Sequence, residues 1–389
     1  MKASKKKNLQ VPSLMRTIVS LMLSLMLYMG QAYADTEVRD EQIFLPIQIG
    51  DHVEKIEALI VRPVEGEKFP LALIINGTSR DGPSAARADW LAGMAHDYAH
   101  RGWLAASIIW PGYGYSSGSF VDNGGDCVAP KVADFLGAHG SELAAALAAL
   151  RQRSDIDPSL ALGVGVSIGG VSMLNLGAQS GHPLAAIINI SGGVAHSTHW
   201  VDAPNCSLFQ SDLVQTVARF GAENPTPTLW IYAQNDHHFG PDLVSRMIAG
   251  YRSQGGKADL VMLPTLGEDG HTLYRNDASA LINPNIDDFL RRNRLPAMND
   301  SAFTAFLSRL TPIERTDGEV YALSVTEKAL AMSKNSNKIY QHYGDRTLEG
   351  AREKALTLCQ KDNGDSCRIV AENQELMPGW QDVISSPVD

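Results

Sequence analysis

Short apolar runs alternate with helical stretches between residues 42 and 292, and this alternation limits the possible folds more than any other feature of the chain. The run Phe69–Ile75 contains no polar side chain, which is typical of a strand buried on both faces of a sheet. Further strands are predicted at residues 56–61, 104–110, 160–166, 185–190, 228–233 and 258–263. Helical spacing of apolar residues predicts helices at 83–101, 141–152, 242–251 and 286–292, and another that begins at Gly169. The alternation therefore predicts an α/β fold, with helices on both faces of a mostly parallel sheet.

The alternation ends near Pro296, which predicts a boundary between a large and a small domain. A chain of 389 residues, 44% of them hydrophobic, is long enough and apolar enough for two cores. We expect the α/β domain to span residues 35–295 and a polar connector with one short helix to span 296–317. Residues 318–389 are expected to form a small α+β module, with a helix near Thr347–Gln360 and a strand at Cys367–Ala371.

The first 34 residues have the pattern of a secretory signal peptide. Five basic side chains, Lys2, Lys5, Lys6, Lys7 and Arg16, precede an apolar run at Ile18–Met29. Ala32-Tyr33-Ala34 then supplies small residues at a cleavage site before Asp35. The alternative is a membrane anchor, but a bilayer span needs about 20 apolar residues and this run is shorter. We therefore expect an exported protein, periplasmic or secreted, without a membrane span after signal removal.

The charge of the chain argues against nucleic acid as a partner. The formal net charge is −10, and removal of residues 1–34, which hold five basic and no acidic side chains, leaves a mature chain near −15. Such a surface repels phosphate backbones and anionic lipids. The expected partner is a small molecule.

The four cysteines suggest two disulfides, because their number is even and an exported protein enters an oxidising compartment. Of the three possible connectivities, Cys127 with Cys206 and Cys359 with Cys367 is favoured, since each pair then stays within one predicted domain. A zinc site is disfavoured because none of these cysteines has C-x-x-C spacing. No metal ligands are predicted.

The segment Gly165–Gly169 (GVSIG) matches the G-x-S-x-G pattern of a nucleophilic serine. This chemistry requires the serine to project from a sharp strand-to-helix turn, where crowding favours glycine at the flanking positions. The motif alone is weak in a chain with 34 glycines. Here a predicted strand leads into it and a helical pattern follows it, so Ser167 is the predicted nucleophile.

A carboxylate that follows a later strand is expected to orient the catalytic base. Asp236 lies a short turn after the predicted strand at residues 228–233 and is the leading candidate, although a turn aspartate without a catalytic role is the alternative. Asp242 is expected to cap the next helix. Asp269 lies too close to the candidate base in the sequence for this role.

The base is predicted to be His271, in the loop after the last strand and 35 residues beyond Asp236. A neutral imidazole accepts the serine proton, and a carboxylate fixes its tautomer. His237 and His238 are alternatives, but they adjoin the acid and are poorly placed to face the serine. His196 and His199 are expected to line the pocket or to lie at the surface.

Two backbone N–H groups are expected to form an oxyanion hole. One belongs to Ile168, directly after the nucleophile, and the other to Thr78, in the loop after the strand Phe69–Ile75. Gly77 would allow close approach of this loop. The alternative is a tight turn without a catalytic part.

With these motifs in place, residues 42–292 resemble the α/β-hydrolase superfamily, in particular its dienelactone-hydrolase-like and prolyl-oligopeptidase-like serine hydrolases. The resemblance lies in the segments LALIINGTSRDG, WPGYGYSSGSF, GVGVSIGG, PTLWIYAQNDHHFGP and LPTLGEDGH. It implies an α/β-hydrolase fold, hydrolase activity and a site beside the loop that begins at Tyr113, with Tyr113 and Tyr115 as substrate-binding candidates. Trp110 and Pro111 stand where the family often has arginine, and Asn76 stands where it often has histidine. The resemblance therefore does not define the shape of the acyl pocket.

The expected function is hydrolysis of carboxylic esters through an acyl-enzyme, which needs no metal or organic cofactor. The same residues would serve a serine peptidase or acyl-aminopeptidase. The large oligopeptidases of this family carry a β-propeller that gates their active site, and the sequence shows none, which favours ester over peptide substrates. A third possibility is a binding protein whose catalytic site is inactive. The C-terminal module is a candidate for contact with a partner or the cell envelope.

Overall fold

The computed structural model describes residues 37–79, 81–181, 183–195, 206–298, 303–334 and 336–384, without the side chains of Ser336, Asn337 and Asp365. The predicted signal segment, residues 1–34, and the candidates His196 and His199 lie outside the described residues. None of the helices in the described ranges is long and apolar enough to cross a membrane.

The main sheet has eight strands, in the order β1-β2-β4-β3-β5-β6-β7-β8. Their bounds are β1 Val38–Ile49, β2 His52–Pro63, β3 Phe69–Ile75, β4 Leu104–Ile108, β5 Ile156–Val166, β6 Ala186–Ile190, β7 Thr228–Ala233 and β8 Ala258–Leu263. The β1–β2 and β2–β4 pairs are antiparallel, and every other pair in this sheet is parallel. The predicted mostly parallel sheet is confirmed.

Burial explains which strands the sequence revealed. Every residue of β3 except Pro70 is buried, as are all residues of β4, β6 and β7, as expected of strands whose two faces are both covered. Strand β1 was not predicted. It lies at the sheet edge, only Leu45 and Ile47 along it are buried, and its first half is polar.

Two groups of helices accompany this sheet. Their bounds are α1 Ala92–His100, α2 Val132–Leu150, α3 Ile168–Ala178, α4 Ser207–Glu223, α5 Pro241–Ser253 and α6 Ser279–Arg292. Helices α2 to α5 pack in a row, each against the next. A buried bidentate pair joins the end of α1 to α6: Arg101, directly after α1, donates to both carboxylate oxygens of Asp287 at 2.7 and 2.8 Å.

The C-terminal residues form a four-stranded antiparallel sheet in the order β10-β9-β11-β12, which confirms a small α+β unit. The bounds are α7 Phe303–Leu307, α8 Pro312–Leu323, β9 Ala329–Ser333, β10 Ser336–His342, α9 Leu348–Asn363, β11 Cys367–Glu372 and β12 Glu375–Leu376. Phe303, Phe306 and Leu310 share one apolar core with Met332 and Val370. The segment expected to be a connector therefore packs into the module.

The module is attached to the α/β domain through polar groups on α1. His96 lies between two carboxylates, 3.0 Å from Asp40 and 3.2 Å from Glu327, and His100 lies 2.9 Å from the same oxygen of Glu327. The Asp97 carboxylate accepts the backbone N–H of Thr326 at 2.7 Å. Buried charges are stable only when paired and hydrogen-bonded, and these groups satisfy one another across the junction.

Lys328 is a fully buried cation at the start of the module sheet. Its ammonium donates to the carbonyl oxygens of Tyr321, Ala322 and Ser324 at 2.8 to 2.9 Å. These carbonyls lie at the C-terminal end of α8, where helical hydrogen bonding leaves acceptors unused and the helix dipole favours a positive charge. The ammonium thus replaces the water that would otherwise solvate the end of this helix.

Both favoured cysteine pairs are present. Cys127 and Cys206 are bonded across 79 residues, with Cα atoms 5.1 Å apart, and Cys359 and Cys367 are bonded across 8 residues, with Cα atoms 6.0 Å apart. The first bond ties the segment before α2 to the start of α4. The second ties α9 to β11 within the module.

Stability should depend on pH through the junction. Burial alone would lower the pKa of His96, but its hydrogen bonds to Asp40 and Glu327 raise that pKa from 6.5 to about 9. Burial acts to raise the pKa of Glu327, yet hydrogen bonds from His100 and His96 lower it from 4.5 to about 2. The His96 contribution is complete below pH 6.5 and is lost as pH rises through about 9, whereas the Glu327 contribution is complete above pH 4.5 and is lost as pH falls through about 2.

The substitution Glu327→Gln should therefore lower the free energy of unfolding by about 3 kcal/mol, because it removes the carboxylate that buried His96 and His100 share. The difference from wild type should be largest between pH 4.5 and 6.5. Urea unfolding across pH measures it, with the exposed Glu353→Gln as the matched control. Equal stability of both variants at every pH would contradict the prediction.

Candidate active site

Ser167 occupies the turn between β5 and α3, in a strained backbone conformation with φ 56° and ψ −124°. Its N–H donates to the Ile190 carbonyl at 3.0 Å, and its own carbonyl accepts the Gly193 N–H at 3.1 Å. The strand next to β5 and the loop after it thus hold the turn from one side. Strain of this kind persists only where surrounding structure over-determines the backbone.

The glycines of the motif are required by contact distances. A Cβ on Gly165 would lie 2.2 Å from the Gly169 carbonyl oxygen, and one on Gly169 would lie 2.7 Å from the Asn76 carbonyl oxygen. Real side chains do not approach so closely. The turn therefore closes only because both flanking residues lack a Cβ.

Two further loops bring Asp236 and His271 to this turn. Asp236 lies shortly after β7, and His271 lies in the short 3₁₀ helix Gly270–Thr272 after β8. His271 Nε2 is 3.2 Å from Ser167 Oγ, and His271 Nδ1 is 3.1 Å from Asp236 Oδ2. One unbroken chain of hydrogen bonds thus links the hydroxyl, the imidazole and the carboxylate.

The Asp236 carboxylate is buried and its orientation is fixed. Its Oδ1 accepts the backbone N–H groups of His238 and Phe239, each at 2.9 Å. Asp236 is thus held so that both of its oxygens lie within 3.2 Å of the imidazole Nδ1.

The loop after β3 approaches the serine directly. A Cβ on Gly77 would lie 2.6 Å from Ser167 Cβ and 3.2 Å from its Oγ, so only glycine fits there. Thr78 lines the same cavity as Ser167, and Ile168 begins α3 directly after the serine. These positions are compatible with the predicted oxyanion hole, which stays a prediction.

A cavity of about 360 Å³ opens at Ser167. Its wall combines apolar, aromatic and charged side chains, and it is lined by Asn76, Gly77, Thr78, Asp81, Trp90, Leu91, Val166, Ser167, His238, Asp269, His271, Thr272, Tyr274 and Arg275. Trp90, Tyr274 and Arg275 were not among the predicted site residues. The last two follow His271 by three and four residues, so proximity to the base was the available signal.

The two tyrosines predicted to bind substrate lie elsewhere. Tyr113 is buried against Phe120 with ring centroids 4.8 Å apart, and Tyr115 is 69% exposed with the Arg87 guanidinium 4.4 Å from its ring centre. Burial raises the pKa of Tyr113 to about 12, although a hydrogen bond with the Ser79 backbone lowers it. Neither ring lines the cavity, and Tyr113 instead supports the Asn76–Ser79 loop.

The rival acids and bases occupy separate positions. Asp242 lies in the first turn of α5 and pairs with Arg246 at 3.1 Å on the surface. Asp269 accepts the backbone N–H of His271 at 3.0 Å and that of His237 at 3.2 Å. His238 lies edge-on to His271, with ring centroids 4.4 Å apart.

Within the described ranges there is no cluster of three or more histidine, cysteine or acidic side chains arranged to hold a metal ion.

No protein-family model matches the sequence, and no curated protein matches it. Among solved structures, the esterase Pf2001 from Pyrococcus furiosus is 12% identical with a TM-score of 0.46, over 66% of this chain and 91% of its own. Est1E from Butyrivibrio proteoclasticus, with ferulic acid bound, is 18% identical with a TM-score of 0.46, over 64% of this chain and 98% of its own. An acylaminoacyl peptidase is 15% identical with a TM-score of 0.45, over 71% of this chain and 44% of its own.

These likenesses do not tell what the chain binds or cleaves. The fold itself is defined by the strand order, the antiparallel start of the sheet, and the sharp turn at Ser167 between β5 and α3. It is the fold of the α/β-hydrolase superfamily, as the sequence resemblance predicted.

The strain at Ser167 should be measurable as stability. Glycine adopts positive φ without a Cβ penalty, so Ser167→Gly should be more stable than Ser167→Ala by about 1 kcal/mol. Guanidinium unfolding of the two variants measures the difference, and the shared loss of the hydroxyl makes alanine the matched control. An alanine variant at least as stable as the glycine variant would contradict a strained turn.

Proposed function

We propose that this protein is an exported serine hydrolase that cleaves carboxylic esters through an acyl-enzyme on Ser167. The observation that carries the proposal is the hydrogen-bonded chain from Ser167 Oγ through His271 to Asp236, at 3.2 and 3.1 Å, on the wall of a cavity. Side chains in this order activate a hydroxyl that is otherwise a weak nucleophile.

In the first half-reaction, Ser167 Oγ attacks the ester carbonyl carbon while its proton passes to His271 Nε2. The carbonyl oxygen becomes negative, and the N–H groups of Ile168 and Thr78 are the proposed donors to it. Collapse of this intermediate breaks the bond to the alcohol oxygen, which takes the proton from His271. An acyl group remains on Ser167, and the alcohol leaves.

In the second half-reaction, water replaces the alcohol. Its proton passes to His271 Nε2 as its oxygen attacks the acyl carbon, and the bond to Ser167 Oγ then breaks. The serine recovers its proton and the carboxylic acid leaves. Asp236 stabilises the imidazolium in both halves and holds its tautomer.

The proposed substrate is a small-molecule ester, because the cavity is of a size suited to small ligands. Each step uses only the side chains and backbone of this chain, so the proposal includes no metal or organic cofactor. Nucleic acid is not a proposed partner, given the acidic charge of the chain.

Export to the periplasm or the medium is part of the proposal. It rests on the signal-like residues 1–34 and on the bonded pairs Cys127–Cys206 and Cys359–Cys367, which suit an oxidising compartment. We propose a division at residues 35–295 and 318–389. Within the intervening residues 296–317, Phe303, Phe306 and Leu310 pack into the core of the C-terminal module. Contact of the C-terminal module with a partner or the cell envelope is a further proposal.

Loss of the orienting carboxylate should nearly abolish turnover. Asp236→Asn keeps the shape of the side chain but favours the wrong imidazole tautomer, so kcat should fall about 10³- to 10⁴-fold. Hydrolysis of p-nitrophenyl acetate measures the loss, and Asp242→Asn is the matched control at a surface position. Activity of Asp236→Asn within about tenfold of wild type would remove Asp236 from the mechanism.

The nucleophile is tested by covalent labelling. A fluorophosphonate probe should modify wild type at Ser167 and leave Ser167→Ala unmodified, as measured by peptide mass spectrometry. Absence of an adduct in folded wild-type protein would favour a binding protein whose catalytic site is inactive.

The ester preference is tested with paired substrates. Rates on p-nitrophenyl esters should exceed those on p-nitroanilides of the same acyl group, because amides have the poorer leaving group. Preferential cleavage of acyl-aminoacyl anilides would instead identify a serine peptidase or acyl-aminopeptidase. Both results would require the same Ser167 adduct.

A further inference from the structure

The loops that carry Asp236 and His271 are fastened to each other by polar groups outside the hydrogen-bonded chain itself. The loop after β7 will be called the acid loop, residues 234–239, and the loop after β8 the base loop, residues 264–272. The relative position of these loops decides whether the carboxylate and the imidazole meet. Two side chains, Asn235 and Asp269, make most of the side-chain hydrogen bonds between the loops.

Asp269 joins the loops through a single oxygen atom. Its Oδ1 accepts the N–H of His271 at 3.0 Å in its own loop and the N–H of His237 at 3.2 Å in the acid loop. The first donor is the backbone of the base itself, and the second is the residue directly after Asp236. Movement of either loop would therefore break one of these two bonds.

The environment of Asp269 keeps its carboxylate ionised. Burial acts to raise the pKa of Asp269, but hydrogen bonds from the His271 and His237 backbone, together with the nearby histidines 238 and 237, lower it overall. An ionised carboxylate is the stronger acceptor for backbone N–H groups. The two bonds are thus of the strong, charge-assisted kind.

Asn235 makes a second set of hydrogen bonds between the loops. Its Nδ2 donates to the carbonyls of Leu266 and Gly267 at 3.0 and 3.2 Å, and its Oδ1 accepts the Leu266 N–H at 2.8 Å. Its backbone carbonyl also accepts the Gly270 N–H at 3.0 Å. One residue of the acid loop therefore engages three positions along the base loop.

The loops touch so closely that a side chain is excluded between them. A Cβ on Gly270 would lie 2.6 Å from Ala233 Cβ, 2.7 Å from Asn235 Oδ1 and 3.0 Å from the Asp236 nitrogen. Gly270 precedes His271 directly. The base is thus set by the packing of its own loop on the acid loop.

We propose that Asn235 and Asp269 are positioning residues that fix the register of the two loops and so hold the His271 imidazole between Asp236 and Ser167. This inference rests on the proposed hydrolase function. Asp269 acts as an acceptor of two N–H groups. Its charge strengthens these bonds, but a neutral acceptor at the same position is expected to suffice, and contact with substrate is not required. A displacement of about 1 Å at a reacting group can cost about 100-fold in rate.

A different role for Asp269 would give different behaviour. Asp269 lines the cavity, and its Oδ2 lies 3.9 Å from His238 Nε2, so it could act on substrate or on histidine through its negative charge. The amide oxygen of asparagine accepts two hydrogen bonds but carries no charge. The pair Asp269→Asn and Asp269→Ala therefore separates acceptance of hydrogen bonds from charge.

The kinetic test compares Asp269→Ala, Asp269→Asn and Asn235→Ala, with the exposed Asp242→Ala as the control. We expect kcat on p-nitrophenyl acetate to fall about 10- to 100-fold in both positioning alanine variants, while KM changes less than about threefold. Asp269→Asn should retain kcat within about threefold of wild type. Equal impairment of Asp269→Asn and Asp269→Ala, or a change confined to KM, would overturn the proposal in favour of a charge or substrate role.

A second measurement does not depend on activity. The proton between His271 Nδ1 and Asp236 should give a far-downfield ¹H NMR resonance, identified by its loss in Asp236→Asn. It should persist in Asp269→Asn and broaden or vanish in Asp269→Ala and Asn235→Ala. An unchanged resonance in both alanine variants would overturn the proposal. If the resonance changes as expected in these variants but the wild-type protein hydrolyses no ester, only the proposed hydrolase function is overturned.

Thermal unfolding identifies any variant that fails to fold. Should Asp269→Ala unfold, Asn235→Ala and Asp269→Asn still decide between the two roles. Full activity together with an unchanged resonance in Asn235→Ala would then refute the positioning role of these loops.

Discussion

The backbone at Ser167 is held with φ 56° by hydrogen bonds to the Ile190 carbonyl and from the Gly193 N–H, and the rest of the site is arranged around that strained turn. A parallel sheet makes this possible, because the carboxyl ends of β3, β5, β7 and β8 meet at one edge. Each of these strands contributes one loop to the site.

The site is assembled in layers. Glycines at 77, 165, 169 and 270 permit backbone contacts that any side chain would block. Polar groups then fix what the glycines bring together, since Asp236 is held by two N–H donors and its loop is joined to the base loop by Asn235 and Asp269. The proposed chemistry depends on this order, because a hydroxyl and an imidazole react only at short, fixed separations.

The C-terminal module shares polar contacts with the region that follows the base. Asn276, shortly after Arg275, donates to the Gly344 carbonyl at 3.3 Å, and the Ser279 hydroxyl accepts the Val325 N–H at 2.8 Å. The buried cluster of His96, His100 and Glu327 joins the same module to α1. The C-terminal module is thus connected to the α/β-hydrolase fold through paired polar groups. Separation of the two would be unfavourable, because each buried group would lose its partner.

Much of this architecture could be predicted from local sequence. Strand β3 was predicted with its observed bounds, Phe69–Ile75, because a strand buried on both faces leaves a continuous apolar run. Edge strand β1 was missed, since half of it is exposed and polar. Phe303 and Phe306 were expected in a connector, because local polarity does not reveal which core a short helix joins. Tyr113 and Tyr115 follow a family-like motif, yet neither lines the cavity.

The sequence by itself determined the α/β class, the strand–turn–helix around Ser167, the favoured cysteine pairs, and the chain order of Ser167, Asp236 and His271. These features depend on hydrophobic period, on turn chemistry and on residue type, all of which are local. Only the tertiary structure decided which groups meet across distant loops. These are the hydrogen bonds of Asn235 and Asp269 between the acid and base loops, the cavity wall with Trp90, Tyr274 and Arg275, and the contacts of Glu327 with α1. Such contacts arise from the packing of elements far apart in the chain, and local residue patterns do not specify them, although Tyr274 and Arg275 lie close to His271 in the sequence.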